Sequence, residues 1–190
     1  MINNLKLEIR NSIEVKERLY NNTKELVKIE NLIFEAIKSI KARRKLIFCG
    51  NGGSFADSQH LTAEFISRLR IDRNPLPAIC LGTNSSNLTA IANDYGYQNI
   101  FLREMLAIGE KGDLFIPIST SGNSENILEV IKKAKEMGLT IVGLTGEIGG
   151  KMSQICDTIN IPTMITEKIQ ECHIMVGHIV CAQIEKTLFQ

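Results

Sequence analysis

The sequence has no tryptophan and only four prolines, and aromatic residues make up 5% of it. Its 22 basic residues nearly cancel its 21 acidic ones, so no net positive charge attracts nucleic acid or an anionic membrane. No apolar run approaches the ~20 residues of a membrane span. The opening "MINNLKLEIRNS" lacks the apolar segment of a secretory signal. These absences predict a cytoplasmic chain without nucleic-acid or membrane partners.

The five cysteines are odd in number, scattered along the chain and never spaced as C-x-x-C. This pattern argues against both a disulfide framework and a thiolate zinc site. We therefore expect reduced side chains that pack as small hydrophobic groups. The cysteines are Cys49, Cys80, Cys156, Cys172 and Cys181.

The length of 190 residues favours one domain covering residues 1–190. Residues 1–42 have helical spacing and almost no breakers, which predicts a helical hairpin joined near "NNTK". Residues 43–190 alternate helical stretches with the strand candidates "KLIFCG", "PAICLG", "DLFIPIS", "TIVGLTG" and "TINIP". The pattern predicts an α/β three-layer sandwich with a doubly wound, parallel, five-stranded sheet. The basic run "KARRK" lies at a predicted helix end, where cations complement the helix dipole.

The segment "CGNGGSFADSQHLTAE" at residues 49–64 places glycines directly after the first predicted strand. A dinucleotide motif would need a third glycine where Phe55 stands, and no lysine follows as in a P-loop. Nucleotide binding is therefore excluded. The remaining alternatives are an ordinary turn, or an anion site in which a glycine takes positive φ and Ser54 caps the next helix.

A second loop, "STSGNS", groups Ser119, Thr120, Ser121 and Ser124 around one glycine at the start of another predicted helix. Helix capping would account for one or two hydroxyls but hardly for four. Hydroxyl and backbone donors at a helix N-terminus suit an anion. The loop therefore predicts binding of a phosphate monoester without a basic patch.

His60 and Glu64 are four residues apart, which places them on one helix face as a metal-binding pair or an ordinary surface pair. Asp57 lies on the same face, and we interpret it as a capping or dipole-complementing residue. In the last predicted helix the polar candidates are Gln170, Glu171, His173 and His178. The two histidines lie about 140° apart on an ideal helix, so only one can serve such a site. Gln170 and His178 are separated by about 12 Å along the axis. They could meet at one ion only with Gln170 at the helix start and both side chains reaching inward, or with help from a neighbouring chain, and spacing alone leaves that choice open.

Four motifs in order, "CGNGGSFADSQHLTAEF", "AIANDYGY", "STSGNSENIL" and "IQECHIMVGHIVC", resemble the phosphoheptose isomerase family of the sugar isomerase (SIS) domain superfamily. The resemblance covers about residues 45–185. It implies a flavodoxin-like SIS fold and a cytoplasmic homotetramer with one zinc ion per subunit. The implied activity converts D-sedoheptulose 7-phosphate to D-glycero-D-manno-heptose 7-phosphate through an enediol. This is the first step of nucleotide-activated heptose synthesis for bacterial lipopolysaccharide or capsule.

The resemblance also assigns roles to individual residues. Glu64 and His178 are implied as general base and acid, which leaves His173 to packing or to supporting the site. The implied zinc ligands are His60, Glu64, Gln170 and His178. The implied substrate contacts are Asn51, Gly52, Gly53, Ser54, Glu64, Asn93, Asp94, Ser119, Thr120, Ser121, Ser124 and Gln170.

Three residues depart from the family pattern and bear on substrate preference. Phe55 replaces a common alanine, Asn84 a common acidic residue, and Lys168 a common arginine. Two alternatives remain beside the enzyme. One is a non-catalytic SIS-domain protein that binds the replication initiator, against which His178 argues. The other is a sugar-phosphate sensor, which would usually carry a DNA-binding module.

Overall fold

The computed structural model describes residues 1–190. The seven α-helices are α1 (Ile2–Tyr20), α2 (Thr23–Lys41), α3 (Gly53–Ile66), α4 (Ser85–Tyr95), α5 (Ile100–Ile108), α6 (Glu125–Glu136) and α7 (Thr166–Phe189). The five strands are β1 (Leu46–Gly50), β2 (Ala78–Cys80), β3 (Leu114–Ile118), β4 (Thr140–Gly146) and β5 (Asp157–Ile161). Two short 3₁₀ helices lie at Tyr97–Asn99 and Met152–Gln154.

All five strands pair in parallel, in the order β2-β1-β3-β4-β5. The predicted five-stranded, doubly wound sheet is therefore confirmed. The order reverses between β1 and β3, whose last residues Gly50 and Ile118 lie opposite each other. In sheets of this kind ligands gather beyond the carboxyl ends of the strands at such a switch point. The loops after β1 and β3 are therefore the first place to look for a site.

Alternate residues of the strands contribute to two hydrophobic cores, one on each face of the sheet. Leu46 and Phe48 belong to the core formed with α2, α3 and α7. Ile47 and Cys49 belong to the core formed with α5 and α6. Because β1 is buried on both faces, its sequence is a continuous apolar run, as is typical of parallel sheets.

The predicted N-terminal hairpin is confirmed, with α1 and α2 separated by two asparagines. Asn22 caps α2, since its side chain accepts a hydrogen bond from the backbone of Glu25. The basic run at residues 41–45 begins at the last residue of α2. Its last two residues form ion pairs. Lys45 lies 2.7 Å from the fully buried carboxylate of Asp113, and Arg44 pairs with Glu110. These cations therefore have structural partners.

All five cysteines are unpaired, and only Cys156 is partly exposed. Burial raises the pKa of Cys80 and of Cys181 to about 12, so both thiols stay protonated at neutral pH. The expectation of unpaired, packed thiols is confirmed.

None of the helices combines the length and apolarity that crossing a membrane requires.

A buried ion pair between Arg73 and Glu185 joins the segment after α3 to the end of α7, with both side chains 1% exposed. Glu185 also accepts hydrogen bonds from the backbone N–H groups of Leu69, Arg70 and Ile71. Burial acts to raise the pKa of the Glu185 carboxyl, but these donors and the Arg73 charge outweigh it, and the pKa is lowered. The fold therefore stabilises the ionised form.

We predict that Glu185→Gln lowers the free energy of unfolding by about 3 kcal/mol, because it leaves Arg73 buried without its counter-charge. Urea denaturation at pH 7 measures this difference. Since folding lowers the pKa of Glu185, its contribution is present above the ordinary carboxyl pKa of about 4.3 and is lost as the pH falls through the lower folded-state value. The deficit of the variant should therefore shrink below about pH 4.

The matched control is Glu129→Gln, which removes an exposed ion pair with Lys132. It should cost less than about 1 kcal/mol, because water screens such pairs. Equal losses for the two variants would contradict the importance of the buried pair.

Candidate active site

Helices α3 and α7 run side by side in the same direction. Gly53 lies against Gln170 at one end of the contact, Leu61 lies against Gly177 in the middle, and Leu69 is bonded to Glu185 at the far end. A Cβ placed on Gly177 would be 2.4 Å from Leu61 Cδ2, so only glycine permits this approach. Because the helices are this close, the neighbours of Leu61 on α3 and of Gly177 on α7 can contact each other.

His60 and Glu64 on α3 meet His178 of α7. The Nε2 atoms of the two histidines are 2.8 Å apart, and His60 Nε2 is 3.2 Å from Glu64 Oε1. One ligand atom from each of the three residues lies within 4.8 Å of the others. Of the two histidines in α7, the structure thus brings His178 to the predicted pair. These three side chains are the His-Glu-His cluster, a group that could hold a metal ion.

The donor set of the cluster fits zinc, which prefers imidazole and carboxylate ligands. Zinc–nitrogen bonds of about 2.0–2.1 Å in a tetrahedral site place two nitrogens about 3.3 Å apart. The two Nε2 atoms are at hydrogen-bond distance, 2.8 Å, and would separate by about 0.5 Å to bind one zinc ion. His60 is the more exposed ring, with 48% of its side chain accessible, so the cluster also faces the solvent.

Gln170, the fourth predicted ligand, lies two turns before His178 on α7. Its amide packs against Gly53, where an added Cβ would be 2.2 Å from Nε2. No hydrogen bond joins Gln170 to the His-Glu-His cluster. Asp57 is 7% exposed and close to Gln170, and its Oδ2 has no hydrogen-bond partner. Burial raises the pKa of Asp57 to about 6, opposed by the Gln170 amide and the His60 charge.

The interpretation of Asp57 as a helix cap is wrong, because α3 begins at Gly53 and has no acidic residue in its first turn.

The other two polar candidates of α7 bond to groups outside the His-Glu-His cluster. His173 is fully buried with its Nε2 3.2 Å from the carbonyl oxygen of Thr145, and burial lowers its pKa to about 4. Glu171 faces α1, where it accepts hydrogen bonds from Lys16 and Ser12.

The loop after β1 presents free backbone donors. Gly52 has φ of +54°, as predicted for a glycine of this turn, and it is the N-cap of α3. The expectation that Ser54 caps the helix is wrong, because Ser54 lies inside the first turn and is buried. The backbone N–H groups of residues 51–54 make no hydrogen bond within the chain. They are therefore available to an anion, as at other helix N-termini.

The serine loop after β3 is built in the same way. Ser124 is the N-cap of α6 but makes no capping hydrogen bond with its side chain. Its Oγ lies 3.3 Å from Ser119 Oγ, and Ser121 Oγ accepts a hydrogen bond from Asn123. The N–H groups of residues 120, 121 and 124–126 have no acceptor within the chain. The loop thus offers several hydroxyl and amide donors that are not used within the chain.

Sequence reasoning missed two residues that contact the β1 loop. Asn126, in the first turn of α6, exchanges two hydrogen bonds of 2.9 Å with Asn51. The hydroxyl of Tyr97 donates to Asn51 Oδ1 at 3.0 Å. No local signal marks Asn126, because asparagine is common near helix starts for capping reasons alone. Asn93 and Asp94 are exposed and bonded to each other, and no hydrogen bond joins them to either loop.

Comparison with known proteins identifies the family. The profile described as "SIS domain" matches residues 9–146. A phosphoheptose isomerase of Clostridium acetobutylicum is 48% identical over 190 residues, covering 100% of this chain and 97% of that protein. The chain belongs to the phosphoheptose isomerase family of SIS-domain proteins.

Two further relatives agree with this assignment. A phosphoheptose isomerase of Aneurinibacillus thermoaerophilus is 47% identical over 187 residues, covering 98% of this chain and 94% of that protein. The solved phosphoheptose isomerase of Neisseria gonorrhoeae superposes with a TM-score of 0.90 at 35% identity, covering 97% of this chain and 98% of that one. The family identifies the chain as an isomerase.

The three departures from the phosphoheptose isomerase pattern have local roles. Phe55 packs beside Gly82, at which an added Cβ would be 3.4 Å from the phenyl ring. Asn84 caps α4 by accepting from two backbone N–H groups, a role that aspartate fills equally well. Lys168 is 8% exposed and donates to Glu171 at 3.1 Å. None of the three forms a hydrogen bond or an ion pair with the His-Glu-His cluster.

We predict that the protein purified from zinc-containing medium carries about one zinc ion per chain, and that His178→Ala weakens zinc binding by more than about 100-fold. Changes in residues that merely support ligands already cost 10–100-fold, so a ligand should cost more. Equilibrium dialysis against a competing chelator with elemental analysis measures the affinity. Gln59→Ala, an exposed change on the same helix, is the control, and equal zinc affinity in His178→Ala and the control would refute the assignment.

Proposed function

We propose that the chain converts D-sedoheptulose 7-phosphate to D-glycero-D-manno-heptose 7-phosphate. The observation that carries this proposal is the His-Glu-His cluster between α3 and α7, together with the donor-rich loops after β1 and β3. His60 is seven residues from the start of α3, or about 10 Å along its axis. An extended seven-carbon chain spans about 8 Å from carbonyl to phosphate ester, at roughly 1.25 Å per C–C bond along the zigzag. The cluster and the start of α3 are therefore far enough apart to contact different parts of one sugar phosphate.

The reaction moves one proton from C1 to C2 and a second proton between the two oxygens. Glu64 takes the proton from C1 as the C2 carbonyl becomes an enediol, and then returns it to C2 as the C1 carbonyl forms. His178 donates a proton to the oxygen on C2 and receives the proton from the oxygen on C1. The sum is an isomerisation with no net gain or loss of atoms or electrons.

The ligands we propose for the zinc ion are His60, Glu64, Gln170 and His178. When bound, zinc would polarise the substrate carbonyl and stabilise negative charge on its oxygen. Glu64 has two carboxylate oxygens, one of which faces His60 at 3.2 Å. Its metal-binding and proton-transferring roles are therefore divided between its two oxygens or between successive stages of turnover.

The phosphate is held, in this proposal, by the free N–H groups and hydroxyls of the serine loop. Ser119, Thr120, Ser121 and Ser124 supply the hydroxyl donors. The further contacts that we propose, beyond Glu64 and Gln170, come from the β1 loop and from the end of α4. They are Asn51, Gly52, Gly53, Ser54, Asn93 and Asp94.

We also infer a cytoplasmic homotetramer that serves heptose synthesis for bacterial lipopolysaccharide or capsule. The support for assembly is α1, on which Ile2, Leu5 and Ile9 are each more than half exposed in the single chain. Contiguous apolar surface of this kind is typical of an interface. Light scattering should then give four times the chain mass of 21.2 kDa.

The alternative of a non-catalytic protein that binds the replication initiator is less well supported. All three residues of the His-Glu-His cluster are present, and the relatives are named as isomerases.

The activity is tested by incubating the zinc-loaded protein with D-sedoheptulose 7-phosphate and following the aldose product. We expect turnover by the wild type, and a kcat lower by about 10²–10⁴-fold for Glu64→Gln, which removes the base but keeps the shape. The melting temperature of the variant shows that it is folded. Absence of product with the wild type would sink the proposed function, and near-normal kcat for Glu64→Gln would sink the role of the base.

Ser121→Ala should raise KM by about tenfold with little change in kcat, since a hydrogen bond to a charged group is worth about 1.5–3 kcal/mol and the phosphate does not react. Steady-state kinetics measures the two constants. Ser153→Ala, which removes an exposed hydroxyl outside the serine loop, is the matched control. If KM is the same in the two variants, the serine loop does not hold the phosphate.

A further inference from the structure

The loops after β1 and β3 lead into helices on opposite faces of the sheet. Helix α3 packs in the core that contains Phe48, and α6 packs in the core that contains Ile47. The loops therefore diverge and border the gap at the switch point. Only the side chains of Asn51 and Asn126 bridge residues 51–54 and 119–126 by hydrogen bonds, in both directions at 2.9 Å.

Asn126 is only 3% exposed, so its amide depends on partners within the protein. Both of its polar atoms are satisfied by Asn51. Tyr97 adds a third contact by donating to Asn51 Oδ1 at 3.0 Å. The Asn51 amide nitrogen carries two N–H groups, of which one is used by Asn126. The other has no partner within the chain and is free for a ligand.

We propose that Asn126 is a positioning residue: by holding the Asn51 amide it fixes that donor toward the ligand and sets the spacing of the β1 loop relative to the serine loop. The inference rests on the proposed function only in its choice of ligand, a ketose phosphate that contacts both loops. A long phosphorylated sugar depends on this spacing, because donors from two separate loops must engage it at the same time.

The test is a double-mutant cycle on the full-length, zinc-loaded protein. Calorimetry with a D-sedoheptulose 7-phosphate solution already brought to its isomerisation equilibrium measures the apparent Kd for the wild type, Asn51→Ala, Asn126→Ala and the double variant. We expect each single change to raise Kd about tenfold. The double variant should bind no more weakly than Asn51→Ala, since Asn126 acts through Asn51.

The value of kcat should change less than about threefold for Asn126→Ala, because Asn126 transfers no proton. Asn126→Leu, which is similar in size and uncharged but loses both hydrogen bonds, should weaken binding in the same way and serves if the alanine variant does not fold.

Asn22→Ala is the matched control, because it removes an asparagine that caps α2 away from the site. It should lower the melting temperature and leave Kd unchanged. If Asn126→Ala also lowers the melting temperature and leaves Kd unchanged, its role is merely structural and the proposal is overturned. Additive effects, with Kd raised about a hundredfold in the double variant, would overturn it too. If the wild type binds without turnover, the proposed function fails while the Kd comparison still decides the role of Asn126. If the wild type does not bind at all, both proposals fail.

Discussion

The site depends on the close packing of α3 against α7 at Leu61 and Gly177. Any side chain at residue 177 would overlap the leucine, so the glycine sets the distance between the helices. His60 precedes the leucine and His178 follows the glycine, and their Nε2 atoms meet at 2.8 Å as a result. Because protein interiors are densely packed, a shift of the helices would be transmitted directly to these rings. A contact between two apolar positions thus determines the geometry of a polar cluster.

The same helix pair is fixed at its far end by a charged group. Arg73 donates to the carbonyl oxygens of Glu64, Phe65 and Ser67, which lie in the last turn of α3 or just beyond it. Those carbonyls have no partners within a helix, so the guanidinium completes the helix end. Glu185 of α7 holds Arg73 in turn. The ion pair that stabilises the fold therefore also fixes the backbone of the proposed base.

Much of this arrangement could be predicted from the sequence, since the strands, the two donor-rich loops and the His60–Glu64 pair follow from local periodicity and glycine placement. The errors at Ser54 and Asp57 have one cause: α3 begins at Gly53, so both residues lie further into the helix than a cap does. The partners of Asn126 and Glu185 could not be found locally, because they are 75 and more than 100 residues away along the chain. Long-range polar pairs leave no periodic pattern in a sequence.

The proposed anion binding by neutral donors places a further constraint on the site. The chain has almost no net charge, and the free donors of the two loops are neutral N–H and O–H groups. Each is weaker than an arginine contact, so the sum depends on several donors facing the same ligand at once. Backbone donors cannot adjust individually, because strands and helices fix their directions. The spacing of the two loops thus determines how many donors act together, and the buried amide of Asn126 lies at the one hydrogen-bonded link between them.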